Sequence, residues 1–293
     1  MLEVAFDTSP LALSRAGTAR YVNGLVAELQ RDVELRLRRL GFGAPGKLAV
    51  PVRDVGWYLG ALPLLARSAN VLHCPTFRAP VGSPVPLVVT VYDVAVLRHP
   101  EAFNAWTRSY SRAVLPRVVR RADRLIAISQ FTAQELVDVL GVDEAKIRVI
   151  PVAAGQPFTP SGAAADGEYV LAVGTLEPRK NLRRLVEGFR RANLDGCELR
   201  IVGAHGWGDV PAVAADGVRW LGEVSDEELA RLYRGARCVA YPSRYEGFGL
   251  PIVEAMACGA PVVAAKNGAA AAAAFDWGRV GRETLAAYRE VAR

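Results

Sequence analysis

The chain has 293 residues, 51% of them hydrophobic, with 36 Lys/Arg against 30 Asp/Glu for a formal charge of +6. This apolar content supports buried cores and excludes a disordered chain, and the length predicts two domains on a prior of about 150 residues each. Four cysteines, Cys74, Cys197, Cys238 and Cys258, form no C-x-x-C pair, which argues against a disulfide framework or a zinc site and fits a reducing compartment.

The charge is unevenly spread. Residues 1–150 hold 19 Lys/Arg against 13 Asp/Glu, whereas residues 151–293 hold 17 of each, so the first half is the one expected to face an anionic partner or surface. The opening residues, MLEVAFDTSP, read as a strand carrying Glu3 and Asp7 rather than as a signal peptide. The longest apolar run, VPLVVTVYDVAVL, is interrupted by Asp93 and is too short to span a bilayer. The expected location is cytoplasmic, either free or peripheral at the inner membrane face.

Strand and helix patterns then alternate. EVAF precedes TARYVNGLVAELQR, in which Tyr21, Leu25, Val26 and Leu29 make one apolar helical face. LVVTVYD and RLIAIS read as buried parallel strands from their branched aliphatic content. Ser129 is placed to cap QFTAQELVDVLG, which stops at Gly141, and IRVIPV closes the first half. After the linker-like stretch GQPFTPSGAAADG (155–167), YVLAVG leads into helix NLRRLVEGFRRA, and ELRIVG is a further strand. SDEELARLYRGA opens with a Ser225 to Glu228 capping box, CVAYPS is a strand, and PVVAA is the next. Repeated strand–helix units predict two doubly wound α/β domains with the ligand at the carboxyl ends of the strands.

The tail departs from this rhythm. Six alanines (269–274) join PVVAA almost directly to a last helix, GRETLAAYREVAR. An alanine run propagates helix but encodes no packing pattern, so the segment reads as engineered or incompletely identified, and material of a full second sheet is expected to be missing.

Two motifs carry chemistry. In AVGTLEPRKNLRRLVEGF, a strand ends at Gly174, and Arg179 and Lys180 precede a helix start. Adjacent cations there suit a diphosphate, since dipole and side chains act in the same sense; a basic helix start on a solvated face is the alternative. In YEGFGLPIVEAMACG, Glu246 and Glu254 flank the turn Gly247-Phe248-Gly249, with Pro251 suited to a first helical position and Gly259 to the residue past the helix end. One ligand with hydroxyls for the acids and phosphates for the turn is a nucleotide sugar; an ordinary acidic first helical turn is the alternative. There is no G-x-x-x-x-G-K-[ST], and no G-x-G-x-x-G follows the first strand.

GTLEPRKNL followed by EGFGLPIVEAMACGAPVVA resembles the retaining, family-4 nucleotide-sugar glycosyltransferases of GT-B fold, group 1. The resemblance extends over AGTARY, VLHCPTFRAP, VVTVYDVAVLRHPEAF and ADRLIAISQFTAQEL, and so over most of the chain. It implies two Rossmann-like doubly wound domains facing across a cleft: 1–157 on the acceptor side and 158–275 for the nucleotide sugar. Residues 276–293 would form a helix returning to the first domain. By the same resemblance Lys180 and Arg179 neutralise the departing diphosphate, and Glu254 accepts from the ribose hydroxyls. Glu246 holds the donor sugar, with Gly174, Gly247, Phe248, Gly249 and Leu250 lining donor and phosphate. Gly17 would let backbone approach the diphosphate, and Tyr92 stands where the family often has a His facing the donor sugar. A same-face mechanism needs no metal, and no D-x-D pair is placed to hold one. The donor is a substrate, so no cofactor is implied.

The implied reaction moves a hexose from a nucleotide diphosphate, GDP-mannose being favoured by the resemblance, to a hydroxyl of a glycan or lipid-linked acceptor. No nucleic-acid partner is implied. Tyr92-Asp93 in place of His-Asp, and IPVAAG where relatives have Pro-Asn-Gly, leave open a nucleotide-sugar-binding protein without turnover. An NAD-linked oxidoreductase or epimerase shares the layout but needs the glycine fingerprint. His73 reads either as a cleft residue or as a satisfied core histidine. Finally, TRSYSRAVLPRVVRRADR (107–124) carries Arg108, Arg112, Arg117, Arg120, Arg121 and Arg124 opposite an apolar face of Tyr110, Val114, Leu115, Val118 and Val119. It reads either as a packed helix with a solvated basic face or as a surface for anionic lipid.

Overall fold

The computed structural model describes residues 1–12, 17–43, 49–206, 216–265 and 276–292. The chain divides into two units, Met1–Ala153 with Phe275–Arg293, and Ala154–Ala274. The alanine run 269–274 lies outside the described residues.

The first unit is a six-stranded sheet of β1 (Leu2–Asp7), β2 (Leu35–Leu40), β3 (Val71–Cys74), β4 (Leu87–Val91), β5 (Arg124–Ala127) and β6 (Ile147–Val149). Its order is β2-β1-β3-β4-β5-β6 and every pairing is parallel. The central strands β3 and β4 are buried along their whole length, which is why LVVTV and VLHC are almost uniformly apolar. From β1 the chain runs outward to β2 and then crosses back to β3, so the switch point lies between β1 and β3.

The longer helices of this unit before residue 153 are α1 (Gly17–Leu29), α2 (Ala105–Arg121) and α3 (Gln130–Leu140). Helix α1 buries Tyr21, Val22, Leu25, Val26 and Leu29, the stripe that its 3.6-residue spacing predicts. Helix α3 is capped by the Ser129 side chain, which accepts from the Thr132 N–H, and ends at Gly141 with φ 62°. Helix α2 is N-capped by Asn104, runs through Pro116, and buries Tyr110, Val114, Leu115, Val118 and Val119. Arg112, Arg117, Arg120 and Arg121 are exposed on its far side, whereas Arg124 is taken by Glu290 at 2.8 Å.

The second unit is a five-stranded parallel sheet, one strand fewer among the described residues. Its strands are β7 (Tyr169–Val173), β8 (Glu198–Val202), β9 (Val218–Gly222), β10 (Cys238–Tyr241) and β11 (Val262–Ala264), in the order β11-β10-β7-β8-β9. Helix α4 (Leu182–Ala192) covers one face, packing Leu182 and Val186 on Ala172, Leu199 and Ile201. Helices α5 (Asp226–Gly235) and α6 (Leu250–Ala257) cover the other, where Leu229, Tyr233 and Ala255 meet Tyr169, Leu171 and Val239. Alternate residues of β7 therefore serve opposite cores, which makes the unit doubly wound. At the start of α5, Ser225 accepts from the Glu228 N–H at 3.2 Å while the Glu228 carboxylate pairs with Arg231.

Helix α7 (Trp277–Val291) belongs to the first unit. Asp276 caps it by accepting from the N–H groups of Gly278 and Arg279. It lies so close to α1 that a Cβ at Gly24 would fall 2.4 Å from the Trp277 ring. Among the described residues no helix is long and apolar enough to cross a membrane.

Candidate active site

Switch points of open α/β sheets collect loops at the strands' carboxyl ends. In the second unit the neighbours there are β7 and β10, since the chain leaves β7 toward β8 and returns to β10. The segment after β7 ends in Glu177-Pro178-Arg179-Lys180, and the segment after β10 runs from Pro242 to Gly249.

These two loops are stitched together. The Arg244 N–H donates to the Arg179 carbonyl at 2.9 Å, and Asn181 Nδ2 donates to the Pro242 carbonyl at 3.2 Å. Asn181 itself sits at φ 57°, a left-handed conformation that Asn tolerates better than most residues, and this turns the single 3₁₀ turn Pro178–Lys180 into α4.

The stitched loops bring Lys180, Arg179 and Glu246 together. Lys180 Nζ donates to Glu246 Oε1 at 2.6 Å, and Arg179 Nη1 donates to Glu246 Oε2 at 3.1 Å and to the Tyr245 carbonyl at 2.8 Å. Arg179 Nη2 reaches Glu177 at 2.7 Å, and Lys180 Nζ also lies 3.2 Å from the Tyr241 hydroxyl. All four charged side chains are largely buried, Lys180 at 13% and Glu246 at 10% exposure. Burial opposes the charge of Glu246, but Lys180 and then Arg179 outweigh it and hold the carboxyl below its ordinary range. Burial likewise works against charged Lys180, yet Tyr241 and Glu246 keep its ammonium above the ordinary lysine value. Tyr241 is pushed up to about 12, by burial first, with Lys180 opposing. Lys180 and Glu246 thus hold each other in their charged forms, with Arg179 bridging Glu246 and Glu177 beside them.

Gly174 belongs to the same place. At φ 155° it lets the chain turn out of β7, and a Cβ there would sit 3.2 Å from Cδ and Cε of Lys180. The loop after β8 approaches equally closely: a Cβ at Gly203 would fall 2.1 Å from the Gly174 carbonyl oxygen. The sequence reading passed over Gly203, Glu177 and Tyr241. Glu177 and Tyr241 stood in plain view in GTLEPRKN and CVAYPS, and a carboxylate beside two cations was the available signal.

Beyond Glu246, Gly247, Phe248 and Gly249 are buried, and Gly249 enters α6 at φ 86° with Leu250 and Pro251 starting the helix. Glu254 lies inside α6, fully buried, its Oε2 accepting from the Tyr233 hydroxyl at 3.0 Å. The helix then closes at Gly259, φ 80°.

Gly17 and Tyr92 belong to the first unit. Gly17 is the first residue of α1, and residues 13–16 before it lie outside the described residues. Tyr92 follows β4, packs edge-on against Tyr21 at 5.5 Å, and buries its hydroxyl without a hydrogen-bond partner. Burial raises its pKa well above that of an ordinary phenol. His73 is a satisfied core histidine. It is fully buried between the Tyr288 hydroxyl and Thr90 Oγ1, and burial pushes its pKa down to about 3, so the imidazole is neutral.

Two family models match the chain: Glycosyltransferase Family 4 over residues 15–153, and Glycosyl transferases group 1 over residues 167–290. A D-inositol 3-phosphate glycosyltransferase of Kineococcus radiotolerans is 34% identical over 94% of this chain and 79% of its own length. The O-antigen chain mannosyltransferase B of Escherichia coli is 28% identical over 89% of this chain and 82% of its own. Among solved structures, HepE of Anabaena in complex with UDP-glucose superimposes with TM-score 0.68 at 21% identity, covering 92% of this chain and 81% of that one. Sucrose-phosphate synthase of Thermosynechococcus elongatus gives TM-score 0.71 at 18% identity over 100% and 95%.

Proposed function

The chain belongs to the group 1, family 4 glycosyltransferases of GT-B fold, and we propose that it is a retaining, metal-independent hexosyltransferase acting from a nucleotide-diphosphate sugar. The observation that carries the reading is the buried Lys180–Glu246–Arg179 cluster at the carboxyl ends of β7 and β10.

Cleaving a sugar–phosphate bond builds negative charge on the departing phosphate and positive charge on the sugar carbon. Preformed cations that need no reorganisation stabilise that change. When the donor enters, Lys180 and Arg179 exchange part of their pairing within the cluster for the diphosphate, and Glu246 receives the sugar hydroxyls. Carboxylate and cations keep each other charged in the meantime. Glu254 takes the ribose hydroxyls, and the backbone from Gly247 to Leu250 borders sugar and phosphate, with Gly174 giving room beside Lys180. In the first unit, Gly17 admits the diphosphate, and the Tyr92 hydroxyl, lacking a partner, donates to a sugar hydroxyl where a relative would use His. A departing phosphate oxygen then takes the proton of the acceptor hydroxyl on the same face, so the anomeric configuration is kept and the two cations do the work a metal would do.

A relative named for O-antigen chain mannosyl transfer and one named for D-inositol 3-phosphate support a glycan or phosphorylated cyclitol as acceptor, and the former supports GDP-mannose as donor. The exposed arginines of α2 support a further element of the reading: reversible attachment to an anionic membrane surface that carries a lipid-linked acceptor. Each arginine near such a surface adds about 1 kcal/mol. Co-sedimentation with anionic vesicles at low salt, weakened by Arg117→Glu with Arg120→Glu, tests it; a wild-type protein left in the supernatant refutes it.

Tyr92 favours one second reading, a nucleotide-sugar-binding protein without turnover. Thermal shift against GDP-, UDP-, dTDP- and ADP-sugars, followed by acceptor-free hydrolysis of the donor that binds, separates the two. Binding with hydrolysis supports the enzyme, binding alone the second reading, and no binding removes both.

A further inference from the structure

We infer that the first unit holds a site for an acidic acceptor sugar, one bearing a phosphate or carboxylate, built on Arg53, Arg78 and the rim ring of Trp106. The inference rests on the transferase reading and adds the residues that hold the acidic group of its acceptor.

The site stands at the switch point of the first sheet, where β1 and β3 end side by side. Asp7 is the last residue of β1, and its carboxylate is covered by its own donors: Ser9, Trp57 Nε1 at 3.2 Å and the Tyr58 hydroxyl at 3.0 Å. Those bonds dock the π-helical segment Val52–Ala61 over the end of β1. The same segment contributes Arg53 and Asp54, while Arg78 comes from the loop after β3.

Asp54 is fully buried and holds both guanidiniums: Arg53 Nε and Nη2 donate to its Oδ1 at 3.0 and 2.7 Å, and Arg78 Nε at 3.2 Å. Two cations on one carboxylate leave a positive charge in excess. Arg53 is only 3% exposed, and its Nη1 is buried without a hydrogen-bond partner. A buried guanidinium with an unused donor carries a desolvation penalty that an incoming oxyanion would relieve. Arg53 Nη1 and the Nη nitrogens of Arg78, which Asp54 does not take, are the donors left for the oxygens of a phosphate or carboxylate.

The rim has the complementary chemistry. Trp106 donates its Nε1–H to Asp54 Oδ2 at 3.0 Å, stacks on Tyr110 at 6.2 Å, and keeps its ring 41% exposed. An ion pair serving stability alone has no need of an anchored, half-exposed indole at its edge. The apolar face of a sugar ring does have such a use for one, with its acidic substituent reaching the arginines.

The test titrates the full chain with glucose 6-phosphate, glucuronate and glucose, read by saturation-transfer NMR. The acidic sugars should bind at least about tenfold tighter than glucose, and Arg78→Gln should bring them to the glucose level. Glucose 6-phosphate and glucuronate in separate arms tell phosphate from carboxylate. Equal affinity for acidic and neutral sugars overturns the inference, as does a loss that follows Lys180→Ala rather than Arg78→Gln. Should Arg78→Gln fail to fold, salt gives the second reading: raising NaCl from about 50 to about 500 mM should weaken acidic-sugar binding and spare glucose. Binding unaffected by salt is contrary. Nucleoside-diphosphate binding in the same sample reports on the transferase reading independently, so either idea can fail alone.

Discussion

Replacing Lys180 with alanine should separate binding from chemistry. Its ammonium lies 2.6 Å from Glu246 and is only 13% exposed, so an effective dielectric of about 20, rather than that of water, applies. Suppose the leaving oxygen gains about half a charge about 3 Å from Nζ. The cation then contributes about 3 kcal/mol more to the transition state than to the bound donor. That is a drop of about 10²-fold in kcat. The variant should fold, because Glu246 keeps Arg179 at 3.1 Å and loses only one partner. The assay is acceptor-free donor hydrolysis under saturating donor, with thermal melting as the control on folding. A change confined to KM would make Lys180 a ground-state clamp and refute the argument.

Glu254→Ala should raise the nucleotide dissociation constant by about 1–3 kcal/mol, the scale of charged hydrogen bonds to the ribose, as measured by calorimetry on a folded variant; unchanged binding removes Glu254 from the site. The Glu246 cluster should give a pH signature. Its carboxyl is held below the ordinary value of 4.5, so the stability it adds is complete above that pH and is lost as pH falls through the lower folded value. The wild-type advantage in melting temperature over Glu246→Gln should therefore shrink below about pH 4.5, and a constant difference down to pH 3 would contradict the pairing. Gly203→Ala should destabilise by about 2–3 kcal/mol in urea unfolding, since φ 152° and a Cβ 2.1 Å from the Gly174 oxygen leave no room; a neutral result would show that the two loops separate easily.

Central strands such as β4 were legible because burial on both faces writes itself as unbroken branched apolar runs, as in LVVTV. Three strands were not: VLHC (β3) is only four residues long and ends in His73 and Cys74, and the other two lie at sheet edges. LRLRRL (β2) and VRWLG (β9) are edge strands with partly exposed residues, and Arg36, Arg38, Arg39 and Arg219 disguise them as polar connectors. Caps fared well where the signal is local: Ser129, Gly141 and Ser225 each occupy the terminus that their chemistry suits. The candidate site was visible as two motifs, but the direct pairing of Lys180 with Glu246, 66 positions apart, was not. Only the β7–β10 adjacency creates it. Arg53 and Arg78 on Asp54 escaped notice for the same reason, since no local pattern links a helical segment to a loop 24 positions on.

The central claim is that this site cleaves a nucleotide–sugar bond with retention. Time-resolved proton NMR of the wild-type protein with its best-binding nucleotide sugar tests that claim most directly, by following the anomeric signal of the sugar as it is first released. The account predicts release of the anomer that matches the donor, about 10²-fold slower with Lys180→Ala. First appearance of the opposite anomer, or equal release by the variant, would contradict it.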